Sequence, residues 1–164
     1  MSYKKILTKN EAEAFALGYL MREFDDTMEI LERRDPLSFE KSIDNPPIVL
    51  TDSNIEFEWG WIIFWTSKKV WERDPDYGIA GNVPLLFNKF DQTIEYFNPL
   101  FSSDFGMDTA IKEYMEKKGY PITQEILDFL EERFKPTDHQ IEMGLELDEY
   151  LKKEGYFDPP ARNS

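Results

Sequence analysis

Few residues in this 164-residue chain combine type and spacing in a way that could do chemistry. His139 is the only histidine. A histidine can act as a general base or bind a metal. No Ser-His-Asp set, no His-Glu-x-x-His and no Cys/His spacing accompanies it. Beside Asp138 at a helix start it reads as a surface residue. Asp74-Pro75-Asp76-Tyr77-Gly78 resembles the opening of a calcium loop. It departs from the EF-hand pattern, because glycine falls at the fifth place and Leu85 stands where the last glutamate should be. Gly78-Ile79-Ala80-Gly81-Asn82 has two glycines but no following Lys-Ser/Thr, and it leads into a strand, so it is not a phosphate loop. Glycosidase-type catalysis needs two carboxyls about 5–9 Å apart, and no pair stands out from what reads as a solvated acidic face. There is no cysteine, hence no thiol nucleophile and no disulfide framework. These residues give no positive sign of an enzyme, a metal site or a cofactor.

The tryptophans are the sharper signal. All four, Trp59, Trp61, Trp65 and Trp71, lie in EFEWGWIIFWTSKKVW, residues 56–71. Such a cluster can pack a core, line a pocket or face a partner. Alternation on a strand puts Trp59, Trp61, Ile63 and Trp65 on one side and Gly60, Ile62, Phe64 and Thr66 on the other. Both sides are apolar, which predicts a central strand covered on both faces. Trp71 lies beyond the run, among Lys68, Lys69, Glu72 and Arg73, and is the tryptophan expected at the surface.

Charge narrows the partners. Thirty-three acids against nineteen bases give a net charge of −14. That disfavours direct binding to nucleic acid or an anionic membrane and speeds encounter with a basic partner. The longest apolar run, Trp59 to Trp65, is far below the ~20 residues of a membrane helix. The N-terminal MSYKKILTKNEAEAF has no continuous apolar stretch and reads as no signal peptide. A cytoplasmic protein is the expectation.

The elements that would position these residues change period twice. Thr8-Lys9-Asn10-Glu11 has the form of a capping box ahead of Ala12, Phe15, Ala16, Tyr19, Leu20 and Phe24, predicting a helix over about 9–24. Met28, Ile30 and Leu31 suggest a short strand, with loops at Asp35-Pro36 and Asn45-Pro46-Pro47. Strands follow at 48–50, 55–59, 61–66, 83–87 and 93–97, the last two joined as a hairpin. Helical spacing returns after Asn98-Pro99, in stripes at 110–115, 126–134 and 141–151. EYMEKKGY at 113–120 and EYLKKEGY at 149–156 both read as helix ends stopped by glycine. The expected fold is α+β: one domain over 1–164, with an N-terminal helix and C-terminal helices packed on an antiparallel sheet of about four strands.

Residues 59–97 resemble the YrhB-like family of small bacterial proteins, the immunity protein 35 type of polymorphic-toxin systems. The matching residues are Gly60-Trp61, Phe64, Ser67-Lys68-Lys69, Glu72-Arg73-Asp74, Ala80-Gly81-Asn82-Val83-Pro84 with Leu85–Phe87, and Ile94–Phe97. Ile111 to Met115 match the helix that follows. Arg73 stands where the family usually has Thr-Gly, and Lys89-Phe90-Asp91 replaces the common turn before the last strand. The family-like core spans about 8–118, and 119–164 is a helical extension with no counterpart in short members.

The resemblance implies an immunity protein that binds a cognate toxin domain and occludes its active site, as a monomer or homodimer when free. Candidate contacts are Trp71, Asp74, Asp76 and Tyr77, then Phe101 and Phe105. In the acidic extension they are Glu125, Asp128, Glu131, Glu132, Glu142, Glu146 and Asp148. A chaperone-like or adaptor module using Phe101, Phe105 and Met107 is the alternative, with an unrecognised hydrolase behind it.

Overall fold

The N-terminal helix α1 spans Lys9–Arg34 and is capped by Thr8, with Glu11 reaching back to the Leu7 N–H rather than to that of Thr8. The Thr8 hydroxyl accepts the Glu11 N–H at 3.2 Å, and the Glu11 carboxylate accepts from the Thr8 hydroxyl at 3.0 Å. The computed structural model describes residues 4–74, 76–77, 82–103, 106–136 and 138–154, without the side chains of 138–140, 144, 147, 148 and 151. The chain forms two compact units that divide between Phe101 and Ser102.

The α1 helix corrects the expected strand at Met28–Leu31, since it runs ten residues past Phe24. Leu20, Phe24 and Met28 recur at helical spacing, and Leu20 and Met28 are buried. That burial outweighs the poor helix propensity of Asp25, Asp26 and Thr27. Nor is Asp35-Pro36 a loop. Asp35 is the C-cap of α1 and the N-cap of α2, Pro36–Ser42, where Pro36 takes the first helical turn.

Strands β1 (Pro47–Val49) and β4 (Trp65–Ser67) form a two-stranded antiparallel ribbon. A four-stranded antiparallel sheet has the order β2-β3-β5-β6, from Ile55–Phe57, Gly60–Ile63, Leu85–Asn88 and Thr93–Tyr96. This is the expected meander, with the ribbon split from it. One face of the sheet meets α1: Trp61, Ile63, Leu85 and Phe87 pack with Ala12, Ala16 and Leu20. On the other face Ile62 pairs with Leu86, and both are buried. The strand expected to be covered on both faces is therefore β3.

The single strand expected over 61–66 is broken at Phe64, and Trp59 sits in the two-residue turn between β2 and β3. Gly60 explains the tightness there. It has φ +154°, and an added Cβ would lie 2.1 Å from the Phe87 carbonyl oxygen. Trp59 and Trp61 are buried, Trp65 is half-buried, and Trp71, on the short helix α3 (Lys68–Trp71), is 63% exposed.

A 3-10 turn at Pro99–Phe101 closes the first unit. The second carries α4 (Met107–Lys118), α5 (Gln124–Arg133) and α6 (Asp138–Lys153). Gly119 ends α4 in the left-handed region at φ 77°, as its sequence predicts. The glycine that closes the second copy of that sequence, Gly155, lies outside the described residues.

Candidate functional site

Helix α5 presents the most coherent outward surface. Thr123 caps it, its hydroxyl accepting the Ile126 N–H at 3.3 Å. Leu130 is buried, and Ile126 and Leu127 are half-buried, which fixes the inner face. Glu125, Asp128, Phe129 and Glu132 then fall at i, i+3, i+4 and i+7 on the outer face. All three acids are exposed, and Phe129 is 41% exposed.

Glu125 lies in the first turn, where the helix dipole favours an acid, but the other two acids are less well placed. Asp128 and Glu132 are like charges one turn apart, an arrangement that costs a helix a few tenths of a kcal/mol. Glu132 also lies in the last turn, where the helix dipole disfavours an anion. Asp128 accepts a hydrogen bond from the Gln124 amide at 2.9 Å. Lys4–Glu11, Glu29–Arg33 and Lys68–Glu72 form ion pairs, all of them away from the stripe.

Asp128, Glu131 and Glu132, all expected contacts, also line one open groove of about 550 Å³. Asp108 and Lys112 of α4 and Lys135 complete its charged lining. Asp128 and Glu132 belong to both the groove and the outer stripe, so Lys112 and Lys135 bring positive charge to one side of them, and Glu125 and Phe129 belong to the stripe alone. Phe129 was missed by the sequence reading, although the stripe Ile126, Leu127, Leu130 and Phe134 already leaves it off the inner face.

On α6, Glu142 and Glu146 are exposed and one turn apart, and Ile141, Met143, Leu145 and Tyr150 are exposed as well. The Asp148 side chain and all of Phe105 lie outside the described residues.

The candidates in the first unit divide. Trp71 and Asp76 are exposed, as is Phe101, at 89% the most exposed of the large apolar residues described. Asp74 and Tyr77 serve the fold instead. The Asp74 carboxylate accepts the Asp76 N–H at 3.0 Å, and its carbonyl accepts the Tyr77 N–H at 3.1 Å. The Tyr77 hydroxyl donates to the Lys41 carbonyl in α2. Trp71 therefore ends α3 just before a turn that Tyr77 ties to α2.

No protein-family model, no curated protein and no solved structure matches this chain. No helix among the described residues is long and apolar enough to cross a membrane.

Proposed function

We propose that this protein is a non-catalytic binding protein for a basic protein partner, an immunity protein that occludes the active site of a cognate toxin domain in the bacterial cytoplasm. The observation that carries the reading is the outer face of α5, where Glu125, Asp128 and Glu132 flank the exposed Phe129. A basic surface set against this stripe relieves its repulsion and covers an aromatic anchor, the combination that protein interfaces favour. The immunity form comes from the resemblance of residues 59–97, and the net charge of −14 suits a basic toxin such as a nuclease.

Coexpression with the protein encoded beside this chain in its genome tests the immunity form. Growth restored by this chain supports it, and unrelieved toxicity overturns it. Charge reversal of Glu125, Asp128 and Glu132 to lysine tests the surface. Association should slow about tenfold or more at low ionic strength, with the melting temperature retained. Association indifferent to both salt and charge reversal overturns the α5 assignment.

A chaperone-like reading draws on the exposed Phe101 and the apolar residues exposed along α6. Many weakly held partners, rather than one stoichiometric partner, would mark it.

A further inference from the structure

A separate recess of about 220 Å³ opens in the first unit, between α1, the edge strand β6 and the β1–β4 ribbon. Leu20 and Phe24 of α1, Pro47 of β1 and Trp65 of β4 give it apolar walls, and Glu23 and Tyr96 bring polar groups to it. The volume is below the roughly 300–1,000 Å³ of a drug-sized site and several times the ~30 Å³ share of one water. It suits a single side chain or a small organic solute.

Glu23 is the hub of this site. The Tyr96 hydroxyl donates to its Oε2, and Tyr19 lies one helical turn before it. The two tyrosine rings meet edge to face, with centroids 6.0 Å apart. Tyr19 and Glu23 are one turn apart on α1, so the helix delivers both. Burial first, and then the nearby Glu23 carboxylate, push both phenols above their ordinary range, so they remain protonated donors. A carboxylate has about four acceptor positions, and the Tyr96 phenol leaves room for another donor.

Two further polar groups are committed, while the hydroxyls of Thr27 and Ser67 also line the recess. The Trp65 indole N–H donates to the Val83 carbonyl at 2.8 Å, so Trp65 offers a ligand its π surface. Asn45 Oδ1 already accepts the Lys69 N–H at 2.7 Å. Among the described lining residues Glu23 is the acid, and no Lys or Arg accompanies it. An anion would meet that like charge, and an apolar solute would strip water from a carboxylate with nothing in exchange. A cation on an alkyl stem answers both constraints, with its head on the carboxylate and its stem on the apolar wall.

We propose that this recess is a binding site for an alkylguanidinium group, whose planar head bonds the Glu23 carboxylate and stacks on the aromatic wall of Trp65 and Tyr96. A guanidinium fits better than an ammonium because it is planar, weakly hydrated and donates in a fork that matches a carboxylate. The inference is independent of the α5 reading, since it uses a different unit and no shared residue.

The test is a titration with N-acetylarginine amide, followed by calorimetry and by the Trp65 indole N–H resonance, assigned through Trp65→Phe. N-acetylcitrulline amide, alike in shape but uncharged, is the control. The arginine probe should saturate and shift Trp65, while the citrulline probe should not. Glu23→Gln should weaken binding about tenfold with the melting temperature unchanged, since Glu23 is exposed and its amide oxygen still accepts from the Tyr96 phenol. A Gly-Ser peptide with one central arginine separates the sources. Tighter binding of the peptide points to a side chain of a protein, and equal or weaker binding points to a free solute. Equal response to the two blocked amino acids, or unchanged affinity in folded Glu23→Gln protein, overturns the proposal.

Discussion

Asn54 holds the backbone of Phe64 at the break between β3 and β4. Its Oδ1 accepts the Phe64 N–H at 2.7 Å, and its amide donates to the buried Glu13 of α1. The Phe64 carbonyl accepts from Leu50 N–H at 2.8 Å. One side chain thus ties the helix to the point where the chain leaves the four-stranded sheet. Asn54→Ala strands a backbone donor and removes the partner of a buried acid. It should destabilise by about 1–3 kcal/mol, read as a lowered denaturant midpoint.

Gly60 should tolerate substitution even less well. The atom an added Cβ would meet is a backbone oxygen of β5, which cannot rotate aside. Gly60→Ala is expected to cost about 3 kcal/mol or more and to loosen the β3–β5 ladder. Amide exchange at Trp61 and Phe87 reports that loosening directly, and native-like protection there would contradict it.

Trp61 and Trp71 show how much of this was legible in the sequence. The apolar residues on both sides of the strand over 59–66 placed Trp61 inside, and the charges around Trp71 placed it outside. Local pattern suffices for both. The break at Phe64 was hidden because Asn54, ten positions away, supplies the hydrogen bond that the ladder gives up. The length of α1 was hidden because Asp25-Asp26-Thr27 argues locally against a helix that tertiary burial extends. In the candidate site the acids of α5 were visible as acids, but their union with Phe129 on one outer face needed the helix phase to be fixed by Leu130. The Glu23–Tyr96 contact joins residues 73 positions apart, a pairing that no local pattern encodes.

The tryptophans also give a paired stability test. Trp61 is 1% exposed against the 63% of Trp71. Trp61→Ala should cost about 3–5 kcal/mol through the cavity it leaves, and Trp71→Ala about 0.5 kcal/mol or less. Equal losses in urea denaturation would contradict the division into core and surface.

Tyr96 predicts the shape of the alkaline limb. Its hydroxyl titrates above the ordinary phenol value, chiefly because burial and then the Glu23 carboxylate oppose the phenolate. A pKa raised in the folded state adds stability that is complete below the unfolded value of about 10. That stability is lost as pH rises toward the folded value. Tyr96→Phe removes the titrating group, so its stability should fall less steeply than the parent's between about pH 9 and 11. Parallel curves for the two proteins would rule out this contribution.

Glu132 sets stability against binding. In the free protein it faces Asp128 one turn earlier and lies at the negative end of α5. Glu132→Lys converts that repulsion into an acid-to-base pair in the favourable order and matches the dipole. The variant should be more stable by about 0.5–1 kcal/mol at low salt, and the gain should shrink toward molar salt as exposed charges are screened. The same change removes one of the three acids proposed to meet a basic partner, so the variant should associate more slowly. Natural chains keep such mildly destabilising surface charges without selection against them, so the binding rate and not the stability gain decides whether Glu132 serves recognition. Melting temperatures at two ionic strengths, beside association rates with the toxin candidate, read both sides. A variant that is stabilised and binds at the parent's rate would show that the acids of α5 are ordinary solvent-facing residues.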